Sequence, residues 1–148
     1  MKAHFKTTLT MADKEIIKIL TDKRLKVTPQ RVAILQCVMG LDNHPSAEEI
    51  NEYIRINYPH VPISTVYKIL SSFIKAGIAR RVSSDSGIIR FEPVERSHHH
   101  LYCSETERIE DYFDDELDKI LSDYFKKKKI PDFAVRDFMV QINGKFKV

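Results

Sequence analysis

The sequence predicts an α+β protein in two halves, and three observations carry that expectation. Between Ile16 and Gly77, apolar residues recur at helical spacing and the runs are bounded by capping residues. From Ile78 onward the runs shorten and alternate, as strands do, with one further amphipathic helix among them. Charge divides along the same line: basic residues dominate Lys14–Arg31 and Lys68–Arg90, while acidic ones crowd Glu105–Asp118. At 148 residues the chain is long enough to bury a core, and 43% hydrophobic with 30% charged residues excludes a disordered one. A net charge of +3 is too small to imply nucleic acid; its placement is what suggests separate tasks for the two halves.

In order, Ile16, Ile17, Ile19 and Leu20 form a short amphipathic helix that ends before Lys23-Arg24. A second helix starts at Val27-Thr28-Pro29-Gln30-Arg31, with Thr28 as N-cap and Pro29 in the first turn, where its missing N–H costs nothing. Val32, Leu35, Val38 and Met39 give its buried stripe, Gly40 stops it, and Cys37 within it reads as a small core residue. After the loop Asn43-His44-Pro45, Ser46-Ala47-Glu48-Glu49 is a capping box, with Ile50, Tyr53 and Ile54 as the apolar face that follows. Tyr58 to Pro62 breaks the chain, Ser64 is expected to cap the next helix, and Gly77 to end it.

Opposite the apolar arc of that fourth helix (Val66, Ile69, Leu70, Phe73, Ile74), Ser64, Tyr67, Lys68, Ser71 and Lys75 share one face. Hydroxyls, a phenol and two lysines without a carboxylate suit phosphates and base edges. Ile78–Val82 and Gly87–Phe91 then flank the polar tip Ser83–Ser86 as a hairpin with basic sides. Helices, a helix pair broken at a turn, then a hairpin is the order of a winged helix-turn-helix, whose second helix of the pair enters the major groove. Tyr67 and Lys68 are the expected base-edge contacts, and Arg80, Arg81 and Arg90 the expected phosphate contacts.

Pro93 to Ser97 reads as a hinge, so the domains expected are 1–92, a winged-helix DNA-binding domain, and 93–148, a metal-sensing dimerisation domain of α/β type. The metal reading starts from His98–Cys103. In a strand, His98, His100 and Tyr102 fall on one face and His99, Leu101 and Cys103 on the other. Two imidazoles on one rigid face can close on one ion, with Glu92 before them and Asp111 after them within reach. Imidazole and carboxylate without thiolate favour Fe(II), Mn(II) or Zn(II). Arg108–Phe113 is a second strand. The helix after it opens on Asp114-Asp115-Glu116 and closes on Lys126–Lys129, both complementing the helix dipole, with Leu117, Ile120, Leu121, Tyr124 and Phe125 as its apolar face. Pro131 ends that helix and Phe133–Ile142 is expected as a last strand. A sheet this small exposes edges, so a homodimer is expected.

These features together resemble the ferric uptake regulator family from about Arg24 to about Ile142. The residues that carry the resemblance are Val27-Thr-Pro-Gln-Arg31, His44-Pro45, Ser64-Thr-Val-Tyr67 with Leu70, Gly77, Arg90-Phe-Glu92, His98-x-His100 and Asp111. It implies a metal-dependent repressor that binds a pseudo-palindromic operator in double-stranded DNA as a homodimer. Its regulatory ion, Fe(II) or Mn(II) with Zn(II) as a substitute, would be held by His44, Glu92, His98, His100 and Asp111. Arg31 and Thr65, which lie in these motifs, join Ser64, Tyr67, Lys68, Ser71, Arg80 and Arg81 on the expected DNA face. Aspartate at 111 resembles the peroxide-sensing (PerR-type) members, in which hydrogen peroxide reacting at bound Fe(II) oxidises a ligand histidine, here His44 or His98. Glutamate at 92 looks more like the iron-uptake branch, so an iron-responsive repressor is the alternative. The chain departs from the family where a structural zinc is often held by two Cys-x-x-Cys pairs. The first is Cys103-Ser-Glu-Thr106 here and no second follows, so no structural zinc is expected.

Two other classes bear on the same residues. Two histidines and two carboxylates also suit a hydrolytic zinc with an open position, but no separate nucleophile or general base accompanies them, so an enzyme is not expected. A DNA-binding protein indifferent to metal is the other. Cys37 and Cys103 form no Cys-x-x-Cys pair, and the chain shows neither a signal-peptide-like start nor an apolar run of membrane-spanning length. A cytoplasmic protein without membrane contact is therefore expected. His4, His60 and His99 are expected to be ordinary surface or loop histidines.

Overall fold

A computed structural model describes residues 13–94 and 98–147; His4 and residues 95–97 of the expected hinge lie outside them. The chain divides into two compact units, Met1–Glu95 and Arg96–Val148. It is α+β, with a winged helix-turn-helix in the first unit and a helix on a three-stranded sheet in the second.

The first unit runs α1 (Asp13–Asp22), α2 (Pro29–Gly40), α3 (Ala47–Ile54), α4 (Ile63–Lys75), β1 (Ala79–Ser83) and β2 (Ile89–Pro93). Thr28 caps α2 by accepting from the Arg31 amide at 3.2 Å, with Pro29 in the first turn. Ser46 caps α3 through the Glu49 amide at 3.2 Å, and its hydroxyl lies 3.3 Å from the Glu49 carboxylate. The start of α4 differs from expectation. It begins two residues earlier, capped by the backbone of Pro62, whose carbonyl accepts from the Thr65 amide at 3.0 Å. Ser64 is thereby inside the first turn, and its exposed hydroxyl is no cap. Gly77 ends α4 at φ +76°, where the Ile78 amide reaches the Phe73 carbonyl at 2.9 Å and the Gly77 amide the Ile74 carbonyl at 3.0 Å. Those two bonds are the Schellman pattern, and the left-handed residue it needs is glycine.

Ile16, Leu20, Ile34, Leu35, Ile50, Val66, Leu70 and Phe73 are fully buried and join the four helices into one core, which Phe91 of the hairpin enters. β1 and β2 pair antiparallel, with Arg80 opposite Glu92 and Val82 opposite Arg90.

The second unit holds β3 (His99–Cys103), β4 (Arg108–Tyr112), α5 (Asp115–Lys127) and β5 (Gln141–Asn143). β3 is the middle strand, antiparallel to β4 and parallel to β5. Asp114 caps α5 by accepting from the Leu117 amide at 2.9 Å, and takes a second bond from the Tyr112 hydroxyl at 2.8 Å. The Leu117 amide first, then Tyr112, holds the Asp114 carboxyl below the usual aspartate range. The expected long last strand shrinks to three residues. Phe133–Val140 alternates like a strand, yet only Gln141–Asn143 finds a ladder, on β3; a run without a neighbour to bond is not a strand. No residue of α5 is buried, and Ile120, Tyr124 and Phe133 are 58%, 54% and 65% exposed. The helix amphipathicity read from the sequence is present: Leu117, Leu121 and Phe125 are half-buried, and among the described residues nothing fully covers Ile120 and Tyr124.

Candidate metal centre and nucleic-acid interface

Each unit carries a cluster of metal-type donors. In the first, His44 and Glu92 meet: His44 Nε2 lies 3.3 Å from Glu92 Oε2. The loop before α3 is laid along β2, with Phe91 N–H donating to the Pro45 carbonyl at 2.9 Å and Ser46 bridging Arg90. Asn43 and His44 both take left-handed backbone, φ 61° and 52°. Non-glycine residues rarely do so without support. Arg90 supplies it. Its Nη1 lies 3.3 Å from the Asn43 carbonyl, 3.2 Å from the His44 carbonyl and 3.1 Å from Glu49 Oε1. Arg90 is 6% exposed, so the phosphate contact expected of it is overturned: it is a buried brace for the histidine loop.

In the second unit, the register of β3 on β4 sets His100 opposite Asp111, with His98 two residues earlier. Asp111 Oδ1 lies 3.6 Å from His98 Nε2 and 3.7 Å from His100 Nε2, and the two imidazole centroids are 5.2 Å apart. These separations are too long for hydrogen bonds. Donors gathered on one ion at about 2.0–2.2 Å stand roughly 3–3.5 Å from one another. The spacing within each cluster, 3.3 Å in the first unit and 3.6–3.7 Å in the second, is close to that. Imidazole nitrogens with carboxylate oxygens are a donor set for Fe(II), Mn(II) or Zn(II).

His99, between the two histidines, is not the surface residue expected. It is fully buried, its Nδ1 accepts from the Val140 amide at 3.0 Å, and its Nε2 lies 2.7 Å from Asp118 Oδ1. An accepting Nδ1 has no proton, so Nε2 carries it and donates to Asp118. The ring ties β3 to α5 on one side and to the approach of β5 on the other. Only its place in an alternating strand, next to two candidate ligands, hinted at this in the sequence. His60 is exposed, as expected.

The candidate DNA face is α4. Ser64, Tyr67, Lys68, Ser71 and Lys75 are all exposed, and Thr65 is half-buried. One expectation about this face is corrected: it is not free of carboxylates. Glu48, arriving from the first turn of α3, accepts from the Tyr67 hydroxyl at 2.6 Å. Elsewhere, Arg81 is exposed, Arg80 Nε lies 3.7 Å from Glu92 Oε1, and Arg31 Nη1 donates to the Lys26 carbonyl at 2.8 Å.

The two cysteines are in different surroundings. Burial pushes the Cys37 thiol up to about 12, whereas hydrogen bonds from the Thr106 hydroxyl and amide lower that of Cys103. Among the described residues no helix is long and apolar enough to cross a membrane.

A winged-helix unit is the frame of a DNA-binding protein, and paired histidines facing an aspartate on a small sheet are a donor set for a divalent metal. The model of the ferric uptake regulator family matches residues 22–138, and the chain belongs to that family. It is a metal-dependent transcriptional regulator. The peroxide-responsive repressor PerR of Staphylococcus saprophyticus is 27% identical over 128 residues, covering 86% of this chain and 84% of that protein. The Vibrio cholerae ferric uptake regulator matches in structure with a TM-score of 0.67 and 26% identity, over 87% of this chain and 98% of that one. The Pseudomonas aeruginosa ferric uptake regulator with manganese matches with a TM-score of 0.67 and 25% identity, over 92% and 100% of the two chains. The hydrolase alternative has no support in these relatives.

Proposed function

We propose that the chain is a peroxide-responsive repressor that binds its operator as a homodimer while His44, Glu92, His98, His100 and Asp111 hold one regulatory Fe(II) or Mn(II). The observation that carries this reading is the convergence of His98 and His100 on Asp111 across neighbouring strands. The His44–Glu92 pair in the first unit adds a matching set of donors, and Zn(II) suits the same atoms as a substitute. An ion held by ligands from both units has its full affinity only when they are correctly disposed, so it selects that disposition from the ensemble. Bound Fe(II) supplies the reducing electron for hydrogen peroxide.

The chain's own residues do the rest. His44 or His98 would be the ring oxidised: one peroxide oxygen adds to a ring carbon in place of its hydrogen and the other departs as water. An oxidised ring is a poorer donor, so the remaining residues would hold the ion less tightly and operator affinity would fall. Asp111, rather than glutamate, supports this branch, as does the similarity to the peroxide-responsive repressor of Staphylococcus saprophyticus. Glu92 favours a second reading, an iron-responsive repressor, toward which the Vibrio cholerae likeness also leans.

The DNA contacts proposed are Ser64, Thr65, Tyr67, Lys68 and Ser71 on α4, with Arg31, Arg80 and Arg81 toward the phosphates. A two-fold dimer calls for a pseudo-palindromic operator. With only two cysteines per chain, a four-thiolate zinc site is not proposed. The decisive measurement is mass spectrometry after one equivalent of hydrogen peroxide. The Fe(II)-loaded protein is expected to gain an oxygen on the peptide bearing His44 or His98, and the Mn(II)-loaded protein is not. Equal oxidation of both forms would remove the iron-centred mechanism, and His98→Ala retaining metal-stimulated DNA binding would remove the site.

A further inference from the structure

The bond between Tyr67 and Glu48 fixes which way one exposed polar tip on α4 can meet DNA. A phenol has one proton to give and lone pairs to receive with. In Tyr67 that proton goes to Glu48 Oε1, at 2.6 Å, while the ring is 42% exposed. Both residues lie on exposed positions of the helix-turn-helix, Glu48 in the first turn of α3 and Tyr67 on α4. The same hydrogen bond raises the phenol above the ordinary tyrosine range, ahead of burial. What remains for a ligand is an oxygen pair that only accepts. Such a pair is repelled by phosphate, by thymine O4 and by guanine O6 and N7. It is complementary to the exocyclic amino groups of adenine and cytosine.

We propose that Glu48 sets the polarity of Tyr67, so that the pair reads an amino group, adenine N6 or cytosine N4, in the major groove of the operator. The proposal rests on the DNA-binding reading above and adds the base chemistry that reading leaves open. Glu48 is here a positioning and specificity residue: a carboxylate on a face meant for a polyanion is tolerated where a base donor receives it.

The test is selection from a pool of duplexes with randomised half-sites by the Mn(II)-loaded full chain, comparing wild type, Tyr67→Phe and Glu48→Ala. Both changes are at exposed positions, and circular dichroism checks that each variant is folded. Every base pair carries one such amino group, so wild type is expected to enrich a single base pair in one strand orientation at one position of each half-site, and to lose that preference when the amino group is deleted there, with purine in place of adenine or 2-pyrimidinone in place of cytosine. Tyr67→Phe should lose that preference by roughly three- to tenfold, one hydrogen bond's worth. Glu48→Ala frees the phenolic proton and should move the same position toward thymine or guanine. If either variant keeps the wild-type preference at every position, or loses affinity evenly across positions, the proposal is overturned while operator binding stands. If wild type enriches no sequence at all, the DNA-binding reading fails and the proposal goes with it.

Discussion

Arg90 packs more consequence into one side chain than any other described residue of the first unit. It is 6% exposed and holds the carbonyls of two left-handed residues together with the Glu49 carboxylate. Removing the guanidinium takes the shared donor from a buried carbonyl, His44, and from the half-buried Asn43 carbonyl and Glu49 carboxylate. Arg90→Ala should therefore cost about 3 kcal/mol, read as a lower urea midpoint at unchanged slope. A loss below about 1 kcal/mol would mean the histidine loop does not depend on it. Arg90, His99 and Glu48 share a reason for escaping the sequence. Their partners, Glu49, Asp118 and Tyr67, lie 41, 19 and 19 positions away, and long-range polar pairs leave no periodic trace. By contrast, the shared face of His98 and His100 follows from strand geometry, which two-residue spacing records directly, whereas the register that sets Asp111 opposite His100 depends on the turn between the strands.

At the scale of elements, local chemistry is what the sequence records best. Thr28 with Pro29, Ser46 with Glu49, and Gly77 mark their helix ends because capping uses residues within a few positions. Ser64 misled because Pro62 closes the first turn of α4 with backbone alone. Residues 133–140 misled because alternation shows what a strand would bury, not whether a neighbouring strand exists. Gly77 gives the cleanest test of a backbone effect. At φ +76° a Cβ would meet nothing within 4 Å, so Gly77→Ala isolates the left-handed penalty. It should cost about 1–2 kcal/mol in chemical denaturation, with Gly77→Asn recovering part of it. Equal stability of all three would contradict the assigned helix end.

On the scale of the whole molecule, the second unit is thinly built. Its buried apolar side chains include Tyr102, Cys103 and Ile109, all from the sheet, while Ile120, Tyr124 and Phe133 stay more than half exposed. Burying such residues is worth about 25 cal/mol per Å² of apolar surface, which a second copy would realise. Ile120→Glu should weaken the proposed homodimer at least roughly tenfold in sedimentation velocity, the effect of about 1.4 kcal/mol, without unfolding the chain. An unchanged dimer would exclude this face of α5 from the interface. The amphipathicity of α5 was plain in its sequence; the identity of what covers it is not a property that one chain encodes locally.

Only Pro45 separates His44 from Ser46, the residue that caps α3, and within the first turn of that helix Glu48 accepts from the Tyr67 hydroxyl on α4. If His44 holds the regulatory ion and Tyr67 meets DNA, as proposed, the two are a few residues and one hydrogen bond apart, and a shift of the histidine loop would reach the start of α3 before any other helix.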